Sequence, residues 1–307
     1  TGQFAPKYFF LINLWTVLIN NGNIVTVALN LYSDDFISPY IVVAGSGVSD
    51  RNSDAVNVNE EDIKNQSFAN NSVYLNTIGD GVSGTIYPTG TPTNPVDNYP
   101  DAYAIATVRK LTNYHLDGTL SFTNGVDVIT DTNWVGDSPI KAVCILNGQD
   151  TSKTTFYKTG IAGTATPTDR CALEQCAIGN FTNFTGIADN CGLNGNITLN
   201  TTDYGNIYFG DCKSVIAGNN KPIVDCNGTT ADIHFRGYIG GLEIQGFTGG
   251  GDMSIDITGR LTLDATCTAG TIIVGGAVLL TDNSGVGCTV VKSSSVEELI
   301  WNKEICP

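Results

Sequence analysis

Apolar positions along this chain follow two regimes. Near the amino terminus, Phe9-Phe10-Leu11-Ile12-Asn13-Leu14-Trp15-Thr16-Val17-Leu18-Ile19 and Ile24-Val25-Thr26-Val27-Ala28-Leu29 are apolar at nearly every position and flank Asn20-Asn21-Gly22-Asn23. β-Branched and aromatic runs on either side of an Asn-Gly pair predict a β-hairpin. Apolar residues on both alternating sets imply burial on two faces. Docked neighbouring subunits would supply that cover, or the arms form a buried strand pair within one subunit.

From residue 114 to 291 the texture changes to short runs of β-formers punctuated by Gly, Asn or Asp. Examples are Ile233-His234-Phe235, Leu242-Glu243-Ile244, Ser254-Ile255-Asp256-Ile257, Leu261-Thr262-Leu263 and Thr271-Ile272-Ile273-Val274. Strands this short suit a solenoid, in which each coil stacks on the next and buries a continuous interior. Cys171, Cys191 and Cys212 recur at about twenty residues, as do Phe247, Cys267 and Cys288, matching a coil of a three-sided helix. The pattern predicts an all-β fold, a right-handed parallel β-helix of eight or nine coils, about 40 Å long at the strand spacing. An irregular all-β sandwich is the alternative architecture.

Residues 34–84 are polar and mixed, with Glu60-Glu61-Asp62 as an acidic cluster. Residues 84–95 contain Pro88, Pro92 and Pro95 among repeated Thr, which disfavours regular structure and marks a junction. The expected organisation is therefore an amino-terminal attachment and oligomerisation region at 1–84, the β-helix at 85–292 and a helical tail at 293–307. Asp97 or Asn98 caps a short helix with Pro100 in its first turn and Ala102, Ile105, Val108 and Leu111 on one face. Ser295 and Glu298 form a capping box for a terminal helix striped by Val296, Leu299, Ile300 and Lys303. That helix is placed either over the open end of the solenoid or against its copies in an oligomer.

Composition sharpens this picture. Charged residues make up only 15%, well below the roughly 25% of ordinary soluble domains, and Asn, Thr, Ser and 35 Gly take their place. Turns and short strands are favoured over long surface helices. With 30 acidic and 15 basic residues the formal charge is −15, which repels a phosphate backbone and excludes nucleic acid as an expected partner. The longest apolar stretch, residues 8–19, is too short and too interrupted for a membrane span, so no membrane insertion is expected. A signal peptide is the lesser alternative for that stretch. The small first residue, Thr1, fits synthesis in the cytoplasm after loss of an initiator methionine.

Candidate chemistry is sparse. Glu243, Asp252, Asp256 and Asp264 lie in successive coils, where paired carboxylates would serve glycoside hydrolysis; they are equally the ordinary solvent-facing partners of alternating strands. His115 and His234 are the two histidines, and neither completes a zinc site or a Ser-His-Asp arrangement by spacing. Cys171 and Cys176 are too loosely spaced for a metal hook. Gly246, Gly249, Gly250 and Gly251 read as a tight coil corner, since no strand-turn-helix unit supports phosphate binding. Seven Asn-x-Ser/Thr triplets match what such a composition produces by chance. No catalytic, cofactor or metal residue is expected.

The stretch Arg236-Gly237-Tyr238-Ile239-Gly240-Gly241-Leu242-Glu243-Ile244 resembles β-helical structural proteins of tailed bacteriophages. So do Gly259-Arg260-Leu261-Thr262-Leu263, Cys267-Thr268-Ala269-Gly270-Thr271-Ile272-Ile273-Val274 and Leu280-Thr281-Asp282-Asn283-Ser284, and the likeness covers about residues 85 to 301. It implies a virion protein of a tail, neck or fibre, often a homotrimer, with no catalytic residues. The expected partners are other copies of the chain, other virion proteins and a host-surface glycan. A polysaccharide-degrading tailspike enzyme and an extracellular adhesin or filament subunit are the competing functions. A particle made in the cytoplasm and released outside would let its cysteines oxidise. The expected disulfide cysteines are Cys144, Cys171, Cys176, Cys191, Cys212, Cys226, Cys267, Cys288 and Cys306. Coil-spaced members would stack within the bonding range of about 4.4 to 6.8 Å, and Cys306, on the tail, would reach a neighbouring subunit.

Overall fold

The computed structural model describes residues 66–216 and 220–293, together with the backbone of four short strands nearer the amino terminus. The chain divides into two compact units, Thr1–Ser67 and Phe68–Pro307. In the first, Leu18–Asn20 pairs antiparallel with Asn23–Val25, as the Asn-Gly turn predicts, and Val27–Ala28 pairs antiparallel with Val42–Val43. The remainder of the hairpin arms and the cluster at Glu60-Glu61-Asp62 lie outside the described residues.

The second unit is a parallel β-helix of about nine turns, whose strands join in one continuous sheet through parallel pairings. Successive coils are in register, so equivalent positions stack on one another about 4.8 Å apart. On the first face the inward position is filled in turn by Val73, Tyr114, Trp134, Phe156, Leu173, Ala188, Phe209, Phe235, Ile255 and Val274. All ten are buried. Coil spacing sets the ring contacts: Tyr114 stacks on Trp134 and Phe209 on Phe235, each at 4.6 Å between centroids. The second face stacks Leu120, Cys144, Ile161, Ile178 and Leu193 inward, and the third stacks Ile244 on Leu263 after Val224.

The corner between the first and second faces recurs with one geometry. Lys158, Gln175, Asn190 and Asp211 all have left-handed backbones (φ 54, 54, 57 and 47°), and Gly237 follows at φ 64°. Each reverses the outward strand end so that the next side chain, Thr159, Cys176, Cys191, Cys212 or Tyr238, points inward and is buried. Asn, Asp and Gly tolerate this region of backbone space, and the lysine and glutamine are held there by the coils on either side.

The first coil begins earlier than the proline-rich junction implies. Ser72–Asn76 pairs in parallel with residues 113–117, so the solenoid starts close to residue 68 and the segment 84–95 is not a linker. It lies along the free edge of that strand: Tyr74 N–H donates to Gly90 O at 2.9 Å, Asn76 N–H to Val96 O at 2.8 Å, and Val96 N–H to Tyr74 O at 2.8 Å. An exposed edge that would otherwise recruit another strand is thus occupied. Helix α1, Tyr99–Arg109, then covers the end of the interior. Asn98 is its N-cap, accepting the Asp101 N–H at 2.9 Å, and Lys110 ends it in a left-handed turn. Tyr99 plugs the core against Tyr114, Phe122 and Trp134, with its hydroxyl donating to Val128 O. The predicted stripe needs one correction. Val108 is 82% exposed, and Ala106 takes its place on the buried face with Tyr99, Ala102 and Ile105.

At the other end, Val278–Asp282 and Gly287–Lys292 form the last coil, and Val278, Leu280, Cys288 and Val290 are only partly buried. The helix predicted at 295–304 lies outside the described residues. Because the first-face ladder carries the largest buried side chains, Trp134→Ala should lower stability by about 3–5 kcal/mol. Ile140→Ala, at a position 90% exposed, should change it by less than about 0.5 kcal/mol. Chemical denaturation midpoints of the two variants check both values.

Candidate functional site

The four acidic candidates do not converge. Glu243 sits on the third face, 2.9 Å from Lys221 Nζ, and accepts a 2.6 Å hydrogen bond from Gln245 Nε2. Asp252 precedes the first face, with its N–H donating to Asp232 Oδ1, and Asp256 ends that face, accepting the Gly237 N–H at 3.3 Å. Four residues of extended strand hold Asp252 and Asp256 about 13 Å apart, beyond the reach of a hydrolytic pair. Asp264 forms a corner, accepting the Thr266 N–H at 2.9 Å and its hydroxyl at 2.8 Å. These bonds from Thr266 hold the Asp264 carboxyl below the usual range. Asp225 and Asp282 make the same local turn with Asn227 and Ser284. The glycine cluster behaves as a coil corner: a Cβ on Gly249 would come within 2.7 Å of Gly270 backbone.

The cysteines are interior residues. All eight that are described are free thiols, Cys144, Cys171, Cys176, Cys191, Cys212, Cys226 and Cys267 buried and Cys288 half-buried. No disulfide joins any two of these eight within the chain, and Cys306 lies outside the described residues. The stacking set also differs. Ala177, Gly192 and Lys213 are in register, so Cys176, not Cys171, shares a corner column with Cys191 and Cys212; Cys171 pairs with Gly186 on the first face. Within that column each sulfur reaches a backbone carbonyl one coil back, Cys176 to Phe156 O at 3.2 Å, Cys191 to Leu173 O at 3.3 Å and Cys212 to Ala188 O at 3.3 Å. Small apolar side chains with a weak donor suit this tight corner. Cys171 and Cys176 occupy different positions in their coil, so they make no metal hook. No group of three potential metal ligands occurs among the described residues.

Both histidines lie on the outer side of the first face. His115 stacks on Tyr74 at 4.7 Å, with Nε2 3.4 Å from Asp137 Oδ1. His234 stacks on Tyr208 at 4.9 Å, and its Nδ1 lies 2.7 Å from Ser254 Oγ. Tyr208, His234 and Ser254 belong to an outward column that also contains Thr155, Ala172 and Ile187. Ile187 and Tyr208 are among its exposed members. At its start a groove of about 250 Å³ is lined by Lys153, Thr155, Arg170, Ala172 and Ile187. Lys153 N–H donates to Arg170 O at 2.8 Å, which places the two cations on adjacent coils, and the Arg170 guanidinium lies 6.0 Å from the Tyr208 ring centroid. Arg170 Nε and Nη2 are buried without a hydrogen-bond partner.

Sequence reasoning missed this strip because its members are scattered over about a hundred residues and only register brings them together. One signal was available: each member immediately precedes an inward apolar residue, as in Tyr208-Phe209 and His234-Phe235. No helix among the described residues is long and apolar enough to cross a membrane. No family model, curated protein or solved structure matches the chain.

The buried thiols carry a testable consequence. Burial pushes the Cys171 thiol up to about 12 and raises Cys144 further, so neither ionises near neutral pH. Thiol labelling of the native protein at pH 8, read by peptide mass spectrometry, should leave the seven buried cysteines unmodified until denaturant is added. Labelling of Cys176 or Cys191 in the folded protein contradicts the structure. The same shifts set an alkaline limit. Raised native values mean that the unfolded chain loses its protons first, so stability is full below the ordinary thiol value of 9.0 and declines as pH rises toward about 12. A denaturation midpoint unchanged between pH 8 and pH 11 would count against buried, neutral thiols.

Proposed function

We propose that the chain is a structural component of a tailed phage particle, in a fibre, neck or tail appendage, with the solenoid as its shaft and the amino-terminal unit as its mount. The observation that carries this reading is the contrast between the two ends of the β-helix. The first coil is closed by α1, by Tyr99 and by the edge-covering segment around Gly90 and Val96. The last coil leaves Val278, Leu280, Cys288 and Val290 partly exposed, beside the exposed Leu279 and Val286. Among the described residues the solenoid is closed at one end and its apolar interior is only partly covered at the other, which suits axial assembly with further protein, because stacked coils stay soluble only when their terminal faces are covered.

Composition supports the same reading. A surface poor in charge and rich in Asn and Thr, carried on short parallel strands, makes a shaft that resists nucleic acid through its charge of −15. The partners in this reading are two further copies of the chain, in a trimer, and other virion proteins, and the place of action is the released particle. The reading assigns the protein no catalytic step.

Particles banded on a density gradient from a lysate encoding the chain should contain it in fixed ratio to the other tail proteins, by quantitative mass spectrometry. Antibody-gold should mark the tail or neck in electron micrographs. Recovery of the chain only in the soluble fraction, with particles devoid of it, overturns the proposal.

A further inference from the structure

We propose that the outward strip of the first face binds an acidic glycan, whose carboxylate is taken by Arg170 and Lys153 and whose sugar rings lie along Ile187, Tyr208 and His234. This rests on the reading of the protein as an exposed component of a particle that meets a cell surface. Three observations carry it. Arg170 and Lys153 form no ion pair among the described residues, in a protein with twice as many acidic as basic residues. Two guanidinium nitrogens of Arg170 are buried without an acceptor, so the folded chain leaves this cation uncompensated, and an oxyanion held in the groove beside it would balance its charge. Beyond the groove the strip turns apolar and aromatic: Ile187 is 40% and Tyr208 36% exposed, and Ser254 Oγ fixes the orientation of the His234 ring.

The geometry favours a sugar polymer over an acidic peptide. Strands of this face are hydrogen-bonded to the coils on both sides, so a peptide finds no free edge to extend. A glycan needs none. From Thr155 to His234 the column crosses four coil steps, about 19 Å, which accommodates several sugar rings laid along the solenoid axis. C–H faces of the rings pack against Ile187 and Tyr208, while hydroxyls find acceptors in Glu174 and Asp189, which lie two residues along the same strands as Ala172 and Ile187.

Native gels of the full chain, impregnated separately with hyaluronate, alginate, polygalacturonate or neutral dextran, test the inference. At least one polyuronate should retard the protein, dextran should not, and higher ionic strength should weaken the effect. Arg170→Gln should weaken retardation at least tenfold, Arg170→Lys should restore part of it, and Lys153→Ala and Tyr208→Ala should each weaken it severalfold. Lys153 is exposed, so its variant decides the matter even where a change at Arg170 disturbs folding. Absence of retardation by every polyuronate, equal retardation by dextran, or wild-type retardation of the Lys153→Ala protein overturns the proposal. Particle incorporation is read separately, so a failure here is distinguishable from a failure of the structural role.

Discussion

Everything in this solenoid follows from the parallel hydrogen-bond ladder that locks each coil to the next. Backbone donors and acceptors on a strand edge must be paired, and here the following coil pairs them. The spacing of that ladder, about 4.8 Å, is also near the contact distance of stacked rings and packed aliphatic chains. One constraint therefore fixes both the backbone and the interior: whatever occupies an inward position meets its counterpart one coil away. The run from Val73 to Val274 is the result. Each large apolar side chain in such a column contributes about 1.5–3 kcal/mol by leaving water, and the register that aligns them costs only a repeated corner.

The corners explain residues that otherwise look misplaced. A left-handed residue at Lys158, Gln175, Asn190, Asp211 and Gly237 turns the chain so that the following side chain enters the core. Cysteine fills that position three coils running because it is small and can offer its S–H to a carbonyl of the coil behind. Acidic residues are used in the same economical way. Asp225, Asp264 and Asp282 close turns with backbone N–H groups, so their number says more about corners than about catalysis. Outside, the same register assembles columns of unrelated sequence position into continuous surfaces, and the strip from Thr155 through Tyr208 to His234 is one of them.

Much of this was legible in the chain. Short alternating runs broken by Gly, Asn and Asp announced a solenoid, and the recurrence of Cys191 and Cys212 gave its coil length. What escaped was register. After the first coil, the ladder advances by as few as 15 residues, from Leu173 to Ala188, and by as many as 26, from Phe209 to Phe235. Fixed spacing therefore aligned Cys171 with Cys191, where the sheet aligns Cys176. The first coil was hidden because 41 residues separate Val73 from Tyr114, and the cap made by 84–95 and α1 is inserted between them. Its prolines looked like a linker because edge cover and linker alike avoid regular structure. Val108 was placed inward because helical spacing fixes a stripe without saying how wide the buried face is. The Arg170 groove left no local signature at all.

Register is thus the central claim, and engineered cross-linking measures it most directly. Ala172 and Ile187 are opposed on adjacent coils with outward side chains, at a strand separation inside the disulfide range of about 4.4 to 6.8 Å. Asp189 is two residues further along the same strand. In protein carrying Ala172→Cys with Ile187→Cys, mild oxidation should join the two introduced cysteines in nearly every molecule, identified as a linked peptide by mass spectrometry. In the Ala172→Cys, Asp189→Cys protein the link should be rare. Equal linking of both pairs, or preference for the second, would contradict the coil register on which the interior ladder, the cysteine column and the outer strip all depend.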